Sequence, residues 1–211
     1  MSWRPKITEK SPRLFQNDVL ELLSRTPPSI VPIIYLPIVA YLLRHSVSSG
    51  NVSYSLTFTL ALFGAISWSI AEYWLHRVPM HWTPKKSWGP KLHFWVHGVH
   101  HELPDDPYRL VMPPAVSLAL FFVFLGLFKL LFGHYVWAFQ AGFTFGYIVY
   151  DMAHYYFHHT KPQSGWIKSI KRHHMLHHFN PRYEELNFSI TVPFWDRVFG
   201  TSRPPDKLKA N

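Results

Sequence analysis

The sequence predicts an all-α integral membrane protein, with four transmembrane helices capped by a cytosolic, helical, histidine-rich domain. Three observations carry that prediction. Hydrophobic residues, 48% of the 211, fall in blocks, so a mean hydropathy of −0.03 conceals long apolar stretches. Of the 21 Lys and Arg, 19 lie in three regions that alternate with those stretches. Of the 15 His, 13 gather in three clusters.

The opening residues, 1–28, are polar and basic, without the short apolar region and small-residue cleavage site of a secretory signal. The first apolar block, Ile30 to Leu43, is broken by Pro32 and Pro37 and falls short of the ~20 residues that cross hydrocarbon. Pro27, Pro28, Ser29 and Arg44 extend it to a span at about 29–44, since membrane helices tolerate proline. The alternative for so short a block is a re-entrant or interfacial helix. Tyr54 to Leu75 forms the second span, with one acidic group, Glu72, near its end. The third, 113–132, is interrupted only by Lys129. It lacks the polar face that a soluble helix shows at a period of 3.6. The fourth, 135–153, is aromatic and glycine-containing and closes at Asp151 and His154.

Charge tests this order independently. Five Lys and Arg fall in 1–28, five in 77–112 and nine in 159–211, while Arg44 and Lys129 border the short connections at the other end. Four spans place the three basic regions on one side, which the positive-inside rule makes cytosolic, with both termini inside. The net charge of +9 then reads as orientation and attraction to an anionic membrane surface. The basic residues form no stripe suited to nucleic acid. One domain is expected over 1–211: a basic cytosolic segment at 1–28, the four spans, and a cap built from 76–112 and 154–211. Lys207 and Lys209 match the dilysine pattern for retrieval to the endoplasmic reticulum, a match that a basic tail yields as readily by chance. A chain with no Cys excludes disulfides, thiolate zinc sites, iron–sulfur clusters and cysteine nucleophiles.

The histidines stand at helical spacings. An α-helix turns about 100° per residue, so positions i, i+3 and i+4 share a face. His97, His100 and His101 have that spacing, and so do His174, His177 and His178; each triplet can present three imidazoles on one side. His154 and His158 are an i, i+4 pair. His76 and His81 would splay by about 140° on a regular helix, but Pro79 between them is expected to end the span and let the second ring return. The proposed topology brings all ten to one membrane surface, leaving only His45 and His134 at the other. Neutral imidazole is the commonest nitrogen ligand for zinc, iron and copper. Ten of them suffice for two metals at about five each, or for one at four with several left over. A pH sensor would not need repeated triplets, and an expression tag would be contiguous and terminal.

The pattern HxxxxH (76–81), HxxHH (97–101), HxxxH (154–158) and HxxHH (174–178) resembles the fatty acid hydroxylase/sterol desaturase superfamily of membrane di-metal oxygenases. The words HGVHH, RLVMPP (109–114), YDMAHYYFHH (150–159) and FWDRVFGT (194–201) are similar to those of the fatty acid 2-hydroxylase branch, which acts on the acyl chains of ceramides and related sphingolipids. The resemblance spans about Leu14 to Thr201. It implies that His76, His81, His97, His100, His101, His154, His158, His174, His177 and His178 are metal ligands. Glu72, Asp151, His93, His159 and His173 then become candidates to orient those ligands from behind. It further implies two metal ions, iron for activity with zinc possible in a purified sample, and O₂ as oxidant. No haem-ligand HPGG word occurs, so the resemblance is to members lacking a fused cytochrome b5 domain. Electrons are then expected from a separate donor, such as cytochrome b5 with its reductase, docking on the basic cytosolic face. The expected location is the endoplasmic reticulum membrane in a eukaryote, or the inner membrane in a bacterium.

Tyr147, Tyr150, Asp151, His154 and His158 form one stripe along the fourth helix. This is a candidate substrate channel to which Tyr155 is added, although interfacial or packing aromatics would give the same stripe. Other branches of the superfamily, namely sterol methyl oxidases, sphingoid-base C4 hydroxylases and carotenoid hydroxylases, share the histidine pattern. A histidine-rich metal transporter is a rival of another class, though it would want ionisable residues at mid-span. A zinc hydrolase would want HExxH, and His101-Glu102 meets Asp105 where the second His should stand.

Overall fold

The computed structural model describes residues 11–50, 52–163 and 165–202. Residues 1–10 of the basic opening segment and the Lys207/Lys209 pair lie outside the described residues. Those described form helices and loops, with no strand among them. The helices are α1 (Asp18–Leu23), α2 (Ile30–Gly50), α3 (Tyr54–Leu75), α4 (Gly89–His93), α5 (Val99–Glu102), α6 (Pro114–Phe132), α7 (Val136–His159), α8 (Gly165–Phe179) and α9 (Phe194–Val198). Three continuous helical stretches are long and apolar enough to cross a membrane: Ile30–Ser49, Tyr54–Met80 and Pro114–His159. The last, 46 residues, turns back at Gly133, whose φ of 57° lies in the left-handed region that favours glycine. It yields α6 and α7 as a hairpin, zipped by the ring pairs Phe128–Phe139 and Phe124–Phe143, each 4.8 Å between centroids.

The first apolar block is longer as a helix than its hydropathy suggests, running on past Arg44 to Gly50. Contacts made far along the chain continue it. Ser46 is buried with its hydroxyl 3.2 Å from that of Thr57, and the His45 ring packs edge-on against Trp137 at 4.7 Å. Pro37 sits inside this helix, where neighbouring helices compensate for its missing N–H. Helix α7 likewise continues past the expected boundary at 153 to His159.

Helix α7 is the hub, packed against α2, α3 and α6. It meets α3 at glycine: a β-carbon on Gly142 would lie 1.7 Å from the carbonyl oxygen of Ala61, and one on Gly64 would lie 2.1 Å from that of Phe139. The backbones touch because neither residue has a side chain. Tyr35 of α2 donates to Ser117 of α6 at 2.7 Å and stands edge-on to Tyr147 of α7. Outward faces are apolar and exposed, as at Phe58, Phe63, Phe122 and Leu130.

The shorter helices α4, α5, α8 and α9 lie outside the long ones. Trp195 of α9 donates its indole N–H to Ser69 of α3 at 2.9 Å, joining α9 to the bundle, while Phe194 stays exposed. The segment 11–26 is tied down where the amide of Thr26 donates to the carbonyl of Tyr108.

Candidate metal centre

The ten histidines converge into two groups of five. His76, His81, His97, His101 and His177 form one; His100, His154, His158, His174 and His178 form the other. Within each group, one nitrogen per ring lies within 4.8 Å of all the others. Nitrogen–nitrogen approaches are close: 2.9 Å for His76–His97, 3.0 Å for His97–His101 and 3.0 Å for His158–His174.

Each triplet is divided between the groups instead of presenting one face to one site. In both, the i, i+4 pair enters one pentad and the i+3 member enters the other. His97 and His101 join the first and His100 the second; His174 and His178 join the second and His177 the first. The remaining pairs stay whole, so each pentad is a sum of two, two and one. The pentads abut where the rings of His101 and His178 stack at 4.3 Å.

The 76–81 pair is brought together by a wider turn. His76–Met80 is a single π-helical turn, in which i→i+5 hydrogen bonding aligns residues five apart. The two rings meet with nitrogens 3.3 Å apart, so Pro79 lies inside the turn and does not end the helix ahead of it. A second π turn, Phe94–Gly98, carries His97.

The donor set fits metal. Among the described residues, both ring nitrogens of His100 and His178, and one each of His154, His158, His174 and His177, are buried without a hydrogen-bond partner. Nitrogen lone pairs left unsatisfied in an interior are costly unless something binds them. Burial, and after it the neighbouring imidazoles, hold His97, His100, His174 and His178 well below the ordinary imidazole range, and His81 at about 3. Each is therefore neutral at pH 7, the form that ligates.

Backbone carbonyls orient two of the rings. Nδ1 of His76 lies 2.5 Å from the carbonyl oxygen of Phe188, and Nδ1 of His177 lies 2.8 Å from that of Leu186. A proton on each Nδ1 makes those contacts and turns Nε2 inward with its lone pair free. The loop supplying these carbonyls is organised by Asp196, which has no solvent exposure. Its carboxylate accepts from the amides of Phe188 and Ser189 at 2.8 and 2.9 Å and from the Thr201 hydroxyl at 2.7 Å, and meets Nε2 of His173 at 3.0 Å. Asn187 turns the loop at φ 58°, a conformation Asn tolerates, and donates its side-chain amide to the carbonyl of His173. Spacing alone passes over Asp196; a lone acid inside the aromatic word FWDRVFG is the signal that marks it.

The carboxylates expected to orient imidazoles act elsewhere. Glu72 accepts from the amides of Ile190 and Thr191 and from the Thr191 hydroxyl, so it braces the same loop and touches no ring. Asp151 accepts from the amide of Met112 and the hydroxyl of Tyr147. Of the other expected neighbours, His173 bonds Asp196, His93 stands 6.4 Å from His81 between ring centroids, and His159 is exposed, stacked on Tyr155 at 4.0 Å.

Two openings reach the pentads. An apolar cavity of about 390 Å³, lined by residues such as Val111, Met112, Val116 and Leu120, ends on His97, His100 and His154. A polar cleft of about 790 Å³, with Thr83, Asn180 and Glu184 on its walls, reaches His81, His101, His177 and His178. Of the tyrosines expected in a channel, only Tyr150 lines the apolar cavity. Tyr147 faces Tyr35 and Trp68 inside the bundle, and Tyr155 faces His159.

Comparison with known proteins places these features. The sequence profile described as fatty acid hydroxylase matches residues 61–201. The dihydroceramide fatty acyl 2-hydroxylase FAH2 of Arabidopsis thaliana is 37% identical over 204 residues, which cover 94% of this chain and 83% of that protein. The ceramide very long chain fatty acid hydroxylase SCS7 of Saccharomyces cerevisiae is 37% identical over 96% of this chain and 53% of its own length. Human fatty acid 2-hydroxylase is 36% identical over 91% and 57%. The solved structure described as full-length scs7p, with only its hydroxylase domain visible, superposes with a TM-score of 0.84 at 37% identity, over 92% of this chain and 72% of that one.

Proposed function

The chain belongs to the fatty acid hydroxylase family, and from that premise we propose that it is a membrane monooxygenase that 2-hydroxylates the acyl chain of a ceramide or related sphingolipid. One atom of O₂ enters the C2–H bond as hydroxyl; the other leaves as water, reduced by an electron pair from a separate donor such as cytochrome b5 with its reductase. Helices α2, α3, α6 and α7 are then the four spans, with both termini and a cap built from 76–112 and 154–211 on the cytosolic side. The membrane is that of the endoplasmic reticulum in a eukaryote or the inner membrane in a bacterium.

The observation that carries this reading is the apolar cavity ending on rings from both pentads: His97 from one, His100 and His154 from the other. A hydrocarbon lying in it presents a C–H bond between the two sites while its walls exclude water. His76, His81, His97, His101 and His177 would hold one metal, and His100, His154, His158, His174 and His178 the other. Iron in these sites supplies the O₂ activation that an unactivated C–H bond requires, which a Lewis acid alone cannot provide. Proton-bearing Nδ1 atoms on His76 and His177 keep those rings from rotating. The polar cleft on His81 and His101 gives the aqueous side its own approach for protons and for the donor.

Lipid mass spectrometry tests the function. Cells lacking 2-hydroxy sphingolipids, supplied with the chain and a competent donor, should accumulate 2-hydroxy acyl ceramides, and the His174→Ala/His178→Ala variant should abolish them. A wild type that is membrane-inserted yet yields hydroxylated sterols, sphingoid bases or carotenoids instead would assign it to another branch of the superfamily.

A further inference from the structure

Within the RLVMPP word, Val111 and Met112 line the apolar cavity but Arg109 has no role there, and the segment 11–26 lies ahead of the region matched by the family profile. The structure joins them. Arg109 is buried, its side chain 2% exposed, with Nη1 on Asp106 at 3.1 Å and Nη2 on Glu21 of α1 at 2.6 Å. The other oxygen of Glu21 accepts from the backbone amides of Leu14 and Phe15, at 2.9 and 3.1 Å. Arg25 closes the far side, 3.3 Å from Glu21 and hydrogen-bonded to Ser11. These bonds hold Leu14 and Phe15 at the apolar cavity, which Leu110, Val111 and Met112 also line. The Phe15 ring rests against Trp95 at 5.3 Å. On α1 itself, Val19, Leu20, Leu22 and Leu23 are exposed. Four aliphatic side chains there suit the bilayer surface from which a lipid would come.

We propose that Leu14 and Phe15, tied down by the Glu21–Arg109 bonds, are specificity-determining residues of the acyl cavity. The proposal rests on the reading of that cavity as the acyl site. A wall contributed by two side chains on a hydrogen-bonded strap limits which chains fit beside the pentads. One methylene in such a pocket changes discrimination by about 10- to 200-fold, so trimming or enlarging Phe15 must redistribute products.

The absence of Cys from the sequence makes a direct test possible. A Phe15→Cys variant carries a single thiol at the cavity wall, and a Leu22→Cys variant carries one on the exposed face of α1. Both, purified in nanodiscs, are alkylated with a maleimide in the presence and absence of a very-long-chain ceramide. Protection of the Phe15→Cys thiol alone is the expected result; equal rates with and without ceramide, in a preparation that hydroxylates that ceramide, would overturn the proposal. In parallel, a mixture of ceramides of different acyl length is supplied to the wild type and to Phe15→Ala and Phe15→Trp. The ratio of longer to shorter 2-hydroxy products should rise about tenfold for Phe15→Ala and fall for Phe15→Trp. Active variants that keep the wild-type ratio would overturn the proposal while leaving the 2-hydroxylase reading intact. A wild type that makes no 2-hydroxy product fails that underlying reading instead, and the alkylation result then stands alone in deciding whether a lipid touches this wall.

Discussion

Asp196 does more for the pentads than any acid that spacing alone could nominate. Burial by itself would raise its carboxyl, but His173, the Thr201 hydroxyl and the Ser189 amide outweigh that and hold it below the usual carboxylate range. An amide in its place has one acceptor where the carboxylate has two, so Asp196→Asn frees a backbone amide of the Phe188–Ser189 turn and loosens the carbonyl that orients His76. Metal affinity should fall by about 10- to 100-fold, the usual cost of removing a group that orients a ligand. Metal titration checks this, with helical circular dichroism expected to be unchanged. Eight of the ten converging histidines stand at i, i+3 or i+4 spacings that the sequence shows directly, whereas His76 and His81 would splay on a regular helix and meet only through the π turn. The division of the ten between pentads is not legible there, since it depends on what faces each helix. Nor is the work of Glu72 and Asp151, whose partners lie at Thr191 and Met112; a carboxylate's reach across that many residues is settled only by tertiary packing.

Among the helices, contact between α3 and α7 decides whether the bundle closes. Gly142→Val forces a side chain into the Ala61 carbonyl, 1.7 Å from where its β-carbon would stand. Overpacking of this kind costs about 1–3 kcal/mol, and here backbone is in the way, so the helices must separate. The variant should show a lower Tm in detergent and reduced monodisperse yield, whereas Gly126→Val, with nothing within 4 Å, should match the wild type. The helical stretches are plain in the hydropathy, and α3 and α6 begin and end within a residue of where composition places them. The C-terminal extension of α2 does not show in the hydropathy because its last turns carry Arg44, His45 and three Ser, stabilised by Thr57 and Trp137 from other helices. The π turns at 76–80 and 94–98 are equally invisible: a period of 3.6 gives no hint of where one extra residue is accommodated.

For the molecule as a whole, acid is the natural antagonist. An unfolded imidazole takes a proton near pH 6.5, whereas burial keeps His97, His100 and His174 neutral far below that and His81 neutral down to about 3. Below 6.5 the unfolded chain therefore binds more protons than the folded one, and stability falls as pH falls; above 6.5 it is fully present. Thermal unfolding of the metal-free protein, followed by tryptophan fluorescence, should show a constant Tm from pH 8 to 7 and a progressive decline from about 6.5 downward. A Tm independent of pH between 7 and 5 would contradict the burial of these rings. The two-two-one composition of the pentads has a consequence of another sort. Because α8 and the 97–101 turn each feed both sites, a deletion or insertion inside either triplet would reassign ligands at both sites in one step. The same change in the loops between motifs would reassign none. Distant kin should therefore vary freely in the distances separating their histidine words and never in the spacing within them, which makes word-internal spacing the feature by which to search for them.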